Sequence, residues 1–146
     1  MENRYLFRGK AKCIVGTYNF GKEDGEWVEG SLRCDCGKYT IFQFETDSAD
    51  YIAYEVDPLT ICQCTGLKDK NGNLIWENDI VAYWDSYSTE NGLAEADCIG
   101  KVVWDDETIS FQVTNRLSAE SYEVLDDECS VLGNVFDNPE LLEVQE

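Results

Sequence analysis

The residues best suited to chemistry are two closely spaced cysteine pairs, Cys34 with Cys36 and Cys62 with Cys64. Four thiolates could hold a zinc ion, but zinc-binding pairs usually have two residues between the thiols, and these have one. On a β-strand the C-x-C spacing puts both side chains on one face, where cysteine serves equally well as a small core residue. We therefore expect structural cysteines, with zinc as the alternative that metal analysis would decide.

The absence of histidine is the most informative negative feature of the sequence. It excludes Ser-His-Asp and Cys-His nucleophilic sites, histidine metal sites and histidine acid–base catalysis. The phosphate-binding patterns G-x-x-x-x-G-K-S/T and G-x-G-x-x-G do not occur either. We therefore expect no catalytic residues, no cofactor and no enzymatic activity.

Two short acidic runs remain as candidates for metal chemistry. Residues 105–107 read Asp-Asp-Glu, and residues 126–128 repeat that run. Such clusters resemble the metal sites of nucleases, but each run lies between two candidate strands, where aspartate is common in solvated turns. We favour solvated loops. The alternative, a metal-dependent hydrolase, requires magnesium- or manganese-dependent activity on nucleic acid that Asp105→Ala abolishes.

The spacing of Asp69, Asn71 and Asn73 imitates the first three ligands of a calcium-binding loop. Leu74 stands where that loop requires glycine, and Ile80 occupies the place of its bidentate glutamate. The run Lys-Asn-Gly-Asn at 70–73 instead predicts a hairpin turn, because Asn and Gly tolerate the positive φ of tight turns.

Four aromatic residues could form a stacking surface for a base or a sugar. They are Trp76, Tyr83, Trp84 and Trp104. Each lies in or beside an aliphatic run that predicts a strand, so we assign all four to the apolar core.

The charge is unusually negative and unevenly distributed. The net charge is −19, and the pI is about 4.1. Residues 1–73 contain nine bases and twelve acids, whereas residues 74–146 contain two bases and eighteen acids. Direct binding to nucleic acid is not expected, because phosphate contacts require clustered Lys and Arg. A partner of the second half is expected to be basic.

The compartment follows from the apolar segments and the cysteines. No window approaches the roughly 20 apolar residues needed to cross a bilayer, and the first residues lack the apolar centre of a secretory leader. The seven cysteines form an odd number without a tight framework, which suits reduced thiols. We expect a cytoplasmic protein that does not associate with membranes.

The elements that position these residues are organised around the stretch 65–81. After the turn at 70–73, a second reversal at 77–79 contains Asn78, which is suited to a left-handed conformation. Residues 80–84 are apolar and predict a well-buried strand. Residues 85–97 are acidic and contain glycine, so they predict an exposed and mobile excursion.

The whole chain predicts a mainly β fold of about nine short strands with little helix. Residues 1–60 form an N-terminal β region, and residues 61–146 form a C-terminal SH3-like, partly open barrel. The N-terminal strands pack against this barrel or form one compact domain with it. Gly30 marks a bulge or a close backbone approach, and Pro139 after Asn138 predicts a short closing helix.

Several separated segments, spread over nearly the whole chain, carry a family resemblance. They are Phe7-Arg8-Gly9-Lys10, Trp27-Val28 with Gly30, Val56-Asp57-Pro58 with Thr60, Gln63, Thr65-Gly66-Leu67-Lys68-Asp69-Lys70-Asn71-Gly72, Asp79-Ile80-Val81, Gly100-Lys101-Val102-Val103, Gly133-Asn134 and Asn138-Pro139-Glu140-Leu141-Leu142. Together they resemble the YopX family of phage and prophage proteins. The sequence departs from the family at Cys62 and Cys64, where glycine and an aromatic residue are expected, and at Asn78, where glycine is usual.

The resemblance implies a small, mainly β protein that is encoded by a phage or prophage and works in the cytoplasm of a bacterial host. It implies no activity and no catalytic residues, because the family is one of unknown function. We expect a non-enzymatic accessory protein, a homo-oligomeric β module that binds a host or phage protein. The alternative is an acidic mimic of DNA that blocks a host nucleic-acid-binding protein, whose binding would weaken steeply with salt.

Overall fold

The computed structural model describes residues 5–12, 22–44, 51–115, 118–124 and 128–142. In these ranges the chain forms eleven β-strands and two 3-10 helices, Pro58–Thr60 and Pro139–Leu142. The strands are β1 (Phe7–Lys10), β2 (Trp27–Asp35), β3 (Lys38–Phe44), β4 (Tyr51–Glu55), β5 (Cys62–Lys68), β6 (Leu74–Trp76), β7 (Asp79–Thr89), β8 (Gly92–Asp105), β9 (Ser110–Asn115), β10 (Ser118–Val124) and β11 (Ser130–Asn134). The mainly β prediction is confirmed, with eleven strands where about nine were expected. Across the described residues, no helix is long and apolar enough to span a membrane.

The chain divides into two compact units, residues 1–64 and 65–146. In the first unit, antiparallel strands follow the order β4-β3-β2-β1-β5, and β5 then continues into the second unit, where β6 lies beside it. The core of the first unit consists of Ala11, Val28, Ile41, Tyr54 and Val56.

Gly30 of β2 lies against the neighbouring strand β3. A Cβ atom added at this position would overlap the backbone carbonyl oxygen of Phe42. The prediction of a close backbone approach at Gly30 is therefore confirmed, and any side chain here would push the two strands apart.

The second unit contains an antiparallel sheet with the strand order β10-β9-β8-β7-β11. Its core consists of Ile75, Val81, Tyr83, Val102, Val113 and Cys129. The expected SH3-like, partly open barrel takes the form of an open sheet, because β10 and β11 stand at opposite ends of the order and no described pairing joins them. The expected closing helix is a single 3-10 turn, Pro139–Leu142.

The corner between β6 and β7 leads into a strand that lies between β8 and β11 in this sheet. Asn78 adopts a left-handed φ of 71°, as predicted, and its N–H donates to the Val102 carbonyl oxygen at 2.9 Å. The buried Asp79 carboxylate accepts the N–H of Trp76 at 2.8 Å. Ile80 follows with no exposed surface, which confirms the predicted core strand.

Residues 85–97 form the outer part of the β7–β8 hairpin. Pairing continues from Trp84 opposite Asp97 to Thr89 opposite Gly92. Residues 85–97 were predicted to be an exposed and mobile excursion, and they form paired strands instead of a loop, because the reversal before Gly92, whose φ is 111°, lets the two flanking segments pair.

Candidate functional site

The two cysteine pairs do not form a common site. Cys34 and Cys36 are exposed where β2 ends and the chain turns toward β3, whereas Cys62 and Cys64 are buried in β5. The Cys62 thiol donates to the Thr60 carbonyl oxygen at 3.2 Å. Within the described ranges, no three potential ligands of the Cys, Asp or Glu type lie close enough together to hold a metal ion.

Asp69 lies at the centre of the turn that was compared with a calcium loop. One carboxylate oxygen accepts the N–H groups of Asn71 (2.9 Å) and Asn73 (2.8 Å), and the other accepts the N–H of Val131 in β11 (2.9 Å). Burial raises the pKa of Asp69, but these hydrogen bonds outweigh it and hold the pKa below its usual value. The carboxylate is thus engaged in joining the turn to β11, which confirms the assignment to hairpin-turn chemistry.

The acidic run at 105–107 lies in the turn between β8 and β9. Asp105 accepts the Thr108 hydroxyl at 2.8 Å and the Glu107 N–H at 3.1 Å, and these bonds lower its pKa. Asp106 and Glu107 are exposed, as the solvated-loop assignment predicts. Of the second run, Glu128 is exposed and residues 126–127 lie outside the described residues.

The four aromatic residues assigned to the core behave differently. Trp76 and Tyr83 are buried, as predicted, and the side chain of Trp84 lies outside the described residues. Trp104 is 43% exposed, so its assignment to the core is wrong. It sits one residue before the end of β8 and packs edge-on against Phe111 with ring centroids 5.0 Å apart. The core therefore ends at Phe111, and the indole extends past it into solvent.

Trp104 forms one wall of an open groove of about 610 Å³, which we call the Trp104 groove. Its lining consists of Val103, Trp104, Asp105, Asp106, Glu107 and Thr114. The groove thus combines an aromatic ring with three carboxyl groups, and no base is among its lining residues that the structure describes. Such a surface fits a cationic side chain next to an apolar one.

Ile109 belongs to the same turn as the acids of the Trp104 groove. It is 74% exposed and has a left-handed φ of 53°, which is rare for a β-branched residue. It lies just before β9, which begins at Ser110. In the sequence, this groove is indicated only by Trp104 followed directly by three acids, a pattern that also fits a core residue followed by a solvated loop.

The first unit carries a second, smaller groove of about 320 Å³. It is lined by Ser31, Arg33, Phe42 and Tyr51, and the Phe42 and Tyr51 rings lie 5.3 Å apart. The Arg33 guanidinium lies 3.7 Å from the Asp35 carboxylate, with both side chains largely exposed. An exposed ion pair of this kind contributes little to the free energy of unfolding.

Comparison with known proteins gives one family and one similar structure of note. A family model described as YopX protein matches residues 19–143. The crystal structure of protein EF1440 from Enterococcus faecalis is similar over 94% of this chain and 96% of that chain, with 25% sequence identity and a TM-score of 0.48. No curated protein matches the sequence.

Proposed function

This chain belongs to the YopX family, and from that premise we propose that it is a non-enzymatic β module that binds a basic protein partner through the Trp104 groove. The proposal places it as a phage- or prophage-encoded accessory protein in the cytoplasm of a bacterial host. It also includes assembly into a homo-oligomer, which light scattering on the purified protein would test.

The observation that carries the proposal is the exposure of two large apolar side chains at one turn. Trp104 is 43% exposed and Ile109 is 74% exposed. Exposed aromatic and aliphatic groups at one place are typical of binding surfaces, and tryptophan is enriched among the residues that dominate binding energy. The left-handed φ of Ile109 adds a strained conformation, and strain of this kind clusters at functional sites.

The charge of the groove defines the partner. Asp105 has a lowered pKa because Thr108 and Glu107 donate hydrogen bonds to it, so it remains ionised at any physiological pH. The second unit as a whole contains nineteen acids and four bases over residues 65–146. Its field attracts a positively charged surface, raises the rate of association and repels acidic competitors.

Affinity capture with matched variants tests the proposal. The tagged protein, Trp104→Ala and Leu132→Ala are each incubated with bacterial lysate at low and high salt, and the bound proteins are quantified. Leu132, in the same unit, is 44% exposed and provides the control for loss of an exposed apolar side chain. We expect the wild type and Leu132→Ala to capture basic proteins that Trp104→Ala does not. In calorimetry, Trp104→Ala should bind such a partner at least tenfold more weakly than the wild type does.

Two results would contradict the proposal. Equal capture by Trp104→Ala, together with a steep loss at high salt, would favour the acidic mimic of DNA, since a mimic depends on charge and not on the indole. Magnesium- or manganese-dependent hydrolysis of nucleic acid that Asp105→Ala abolishes would favour an enzyme.

A further inference from the structure

Cys34 and Cys36 share one exposed hairpin turn of the first unit. The last pair between β2 and β3 joins Asp35 to Lys38, so Cys36 and Gly37 form a two-residue loop. Both loop residues have a positive φ, 50° for Cys36 and 79° for Gly37, as in a type I′ turn. Such positions favour Asn, Asp or Gly, so turn propensity does not account for a cysteine at position 36.

The exposure of this pair is unusual, because cysteine is among the most often buried residue types. Among the cysteines that the structure describes, Cys34 and Cys36 are the two exposed ones. Cys62 and Cys64 have the same spacing in β5, but neither has exposed surface. A dissolved reagent can therefore reach the first pair directly, whereas reaction at the second pair requires local unfolding.

The two exposed thiols differ in how firmly they are held. Cys34 pairs with Tyr39 of β3, and Tyr39 also packs against the core of the first unit. A hydrogen bond between the two side chains raises the pKa of Tyr39 above its usual value. Cys34 is thus fixed on a paired strand, while Cys36 lies in the loop and can move toward it.

The separation of the two residues suits a reversible bond between them. Two residue steps separate their Cα atoms, which therefore lie at most about 7 Å apart. Disulfides join Cα atoms up to about 6.8 Å apart, so a Cys34–Cys36 bond closes near the limit of this range. Strained and exposed disulfides are readily reduced again and are typical of regulatory or exchanging thiols.

We propose that Cys34 and Cys36 form a redox-active dithiol that exchanges with low-molecular-weight disulfides. One thiolate attacks a sulfur of the small disulfide, a mixed disulfide forms, and the first small thiol leaves. The other thiolate then attacks the protein sulfur of the mixed disulfide, the Cys34–Cys36 bond forms, and the second small thiol leaves. The dithiol loses two electrons and two protons, and the small disulfide takes up both as it becomes two thiols. The site lies in the first unit and does not rest on the function proposed for the Trp104 groove.

Peptide mapping after treatment with hydroxyethyl disulfide tests the proposal. The reagent is uncharged, so the net charge of −19 does not alter its approach. The folded full chain is treated at neutral pH, its remaining thiols are blocked, and trypsin then cleaves after Arg33 and Lys38, which releases residues 34–38 with no other cysteine. We expect this peptide to carry an internal disulfide that forms at least tenfold faster than Cys62 and Cys64 react. Dithiothreitol should restore the reduced peptide.

Single variants separate the two steps. Cys34→Ser and Cys36→Ser should each stop at the mixed disulfide, because no second thiol is left to displace the reagent. Cys13→Ser is the control at a cysteine outside the described residues, and it should form the Cys34–Cys36 bond as fast as the wild type does.

Four results would overturn the proposal. The first is a peptide 34–38 that stays reduced, and the second is a wild type that keeps a mixed disulfide on each thiol, since the pair would then not exchange as a dithiol. The third is a bond from Cys34 or Cys36 to another cysteine or to a second chain. The fourth is equally fast reaction of Cys62 and Cys64, which would remove the selectivity that exposure predicts.

Discussion

Two turns of the second unit use the same local motif for different ends. In the turn at 69–73 and in the turn at 105–109, an aspartate accepts the N–H of the residue two positions later. Both aspartates have a lowered pKa. The difference lies in the second oxygen, because Asp69 binds Val131 of a distant strand whereas Asp105 binds Thr108 of its own turn.

This difference determines what each carboxylate can do. Asp69 is 5% exposed, and its oxygens are engaged by the backbone, so it holds a hairpin against β11. Asp105 lies in an exposed turn, next to the 43% exposed Trp104, and its oxygens accept hydrogen bonds only within that turn among the described residues. A hydrogen-bond donor from a remote strand thus joins the turn at 69–73 to β11, whereas the hydrogen bonds of Asp105 stay within its own turn.

The largest effect is expected when a carboxylate is buried without such donors. Ile80 has no exposed surface, and Ile80→Asp would bury an unpaired carboxylate. We expect a loss of at least about 3 kcal/mol in the free energy of unfolding, measured by urea denaturation. Ile80→Val is the control and should cost about 1 kcal/mol. A near-wild-type midpoint for Ile80→Asp would show that Ile80 is not a core residue.

Removal of the buried carboxylate should have the next largest effect. Asp69→Ala leaves the N–H groups of Asn71, Asn73 and Val131 without their acceptor, so we expect a loss of about 2–4 kcal/mol. Asp105→Ala, which removes only bonds within an exposed turn, should leave the thermal midpoint nearly unchanged. Similar midpoints for the two variants in differential scanning calorimetry would remove the distinction between the turns.

The first turn was predictable from the sequence and the second was not. Residues 70–73 combine Asn and Gly in an order that specifies a tight turn, and Gly72 indeed has a φ of 85°. No propensity indicates that Ile109 would adopt a left-handed φ, because its conformation is imposed by the pairing of β8 with β9. The prediction that Trp104 is buried was wrong for a similar reason. A strand pattern predicts on which face of the sheet a side chain lies, but not where along the strand the core ends.

A smaller effect, of opposite sign, is expected at Ile109. Ile109→Gly relieves the left-handed conformation and should stabilise the protein by about 1 kcal/mol. Because it also removes an exposed apolar side chain from the turn that carries Asp106 and Glu107 of the Trp104 groove, it should weaken binding of the captured partner. Leu132→Ala is the control for the binding measurement, because it also removes an exposed apolar side chain without putting glycine into a strand. Unchanged binding by Ile109→Gly would restrict the contact surface to Trp104.

The smallest effect is expected on the stability at acid pH. Burial raises the pKa of Asp69 and its hydrogen bonds lower it. Its pKa is lower in the folded protein than the usual 3.8, so its contribution to stability is complete above that value. The contribution is lost as the pH falls through the folded-state pKa. Asp69→Asn should therefore flatten the decline of the unfolding free energy below about pH 4, measured by urea denaturation at a series of pH values. Asp105→Asn should flatten it less, because its hydrogen bonds are local and can form partly in the unfolded chain. An equal change in the two slopes would show that the remote donor from β11 adds nothing to the local turn.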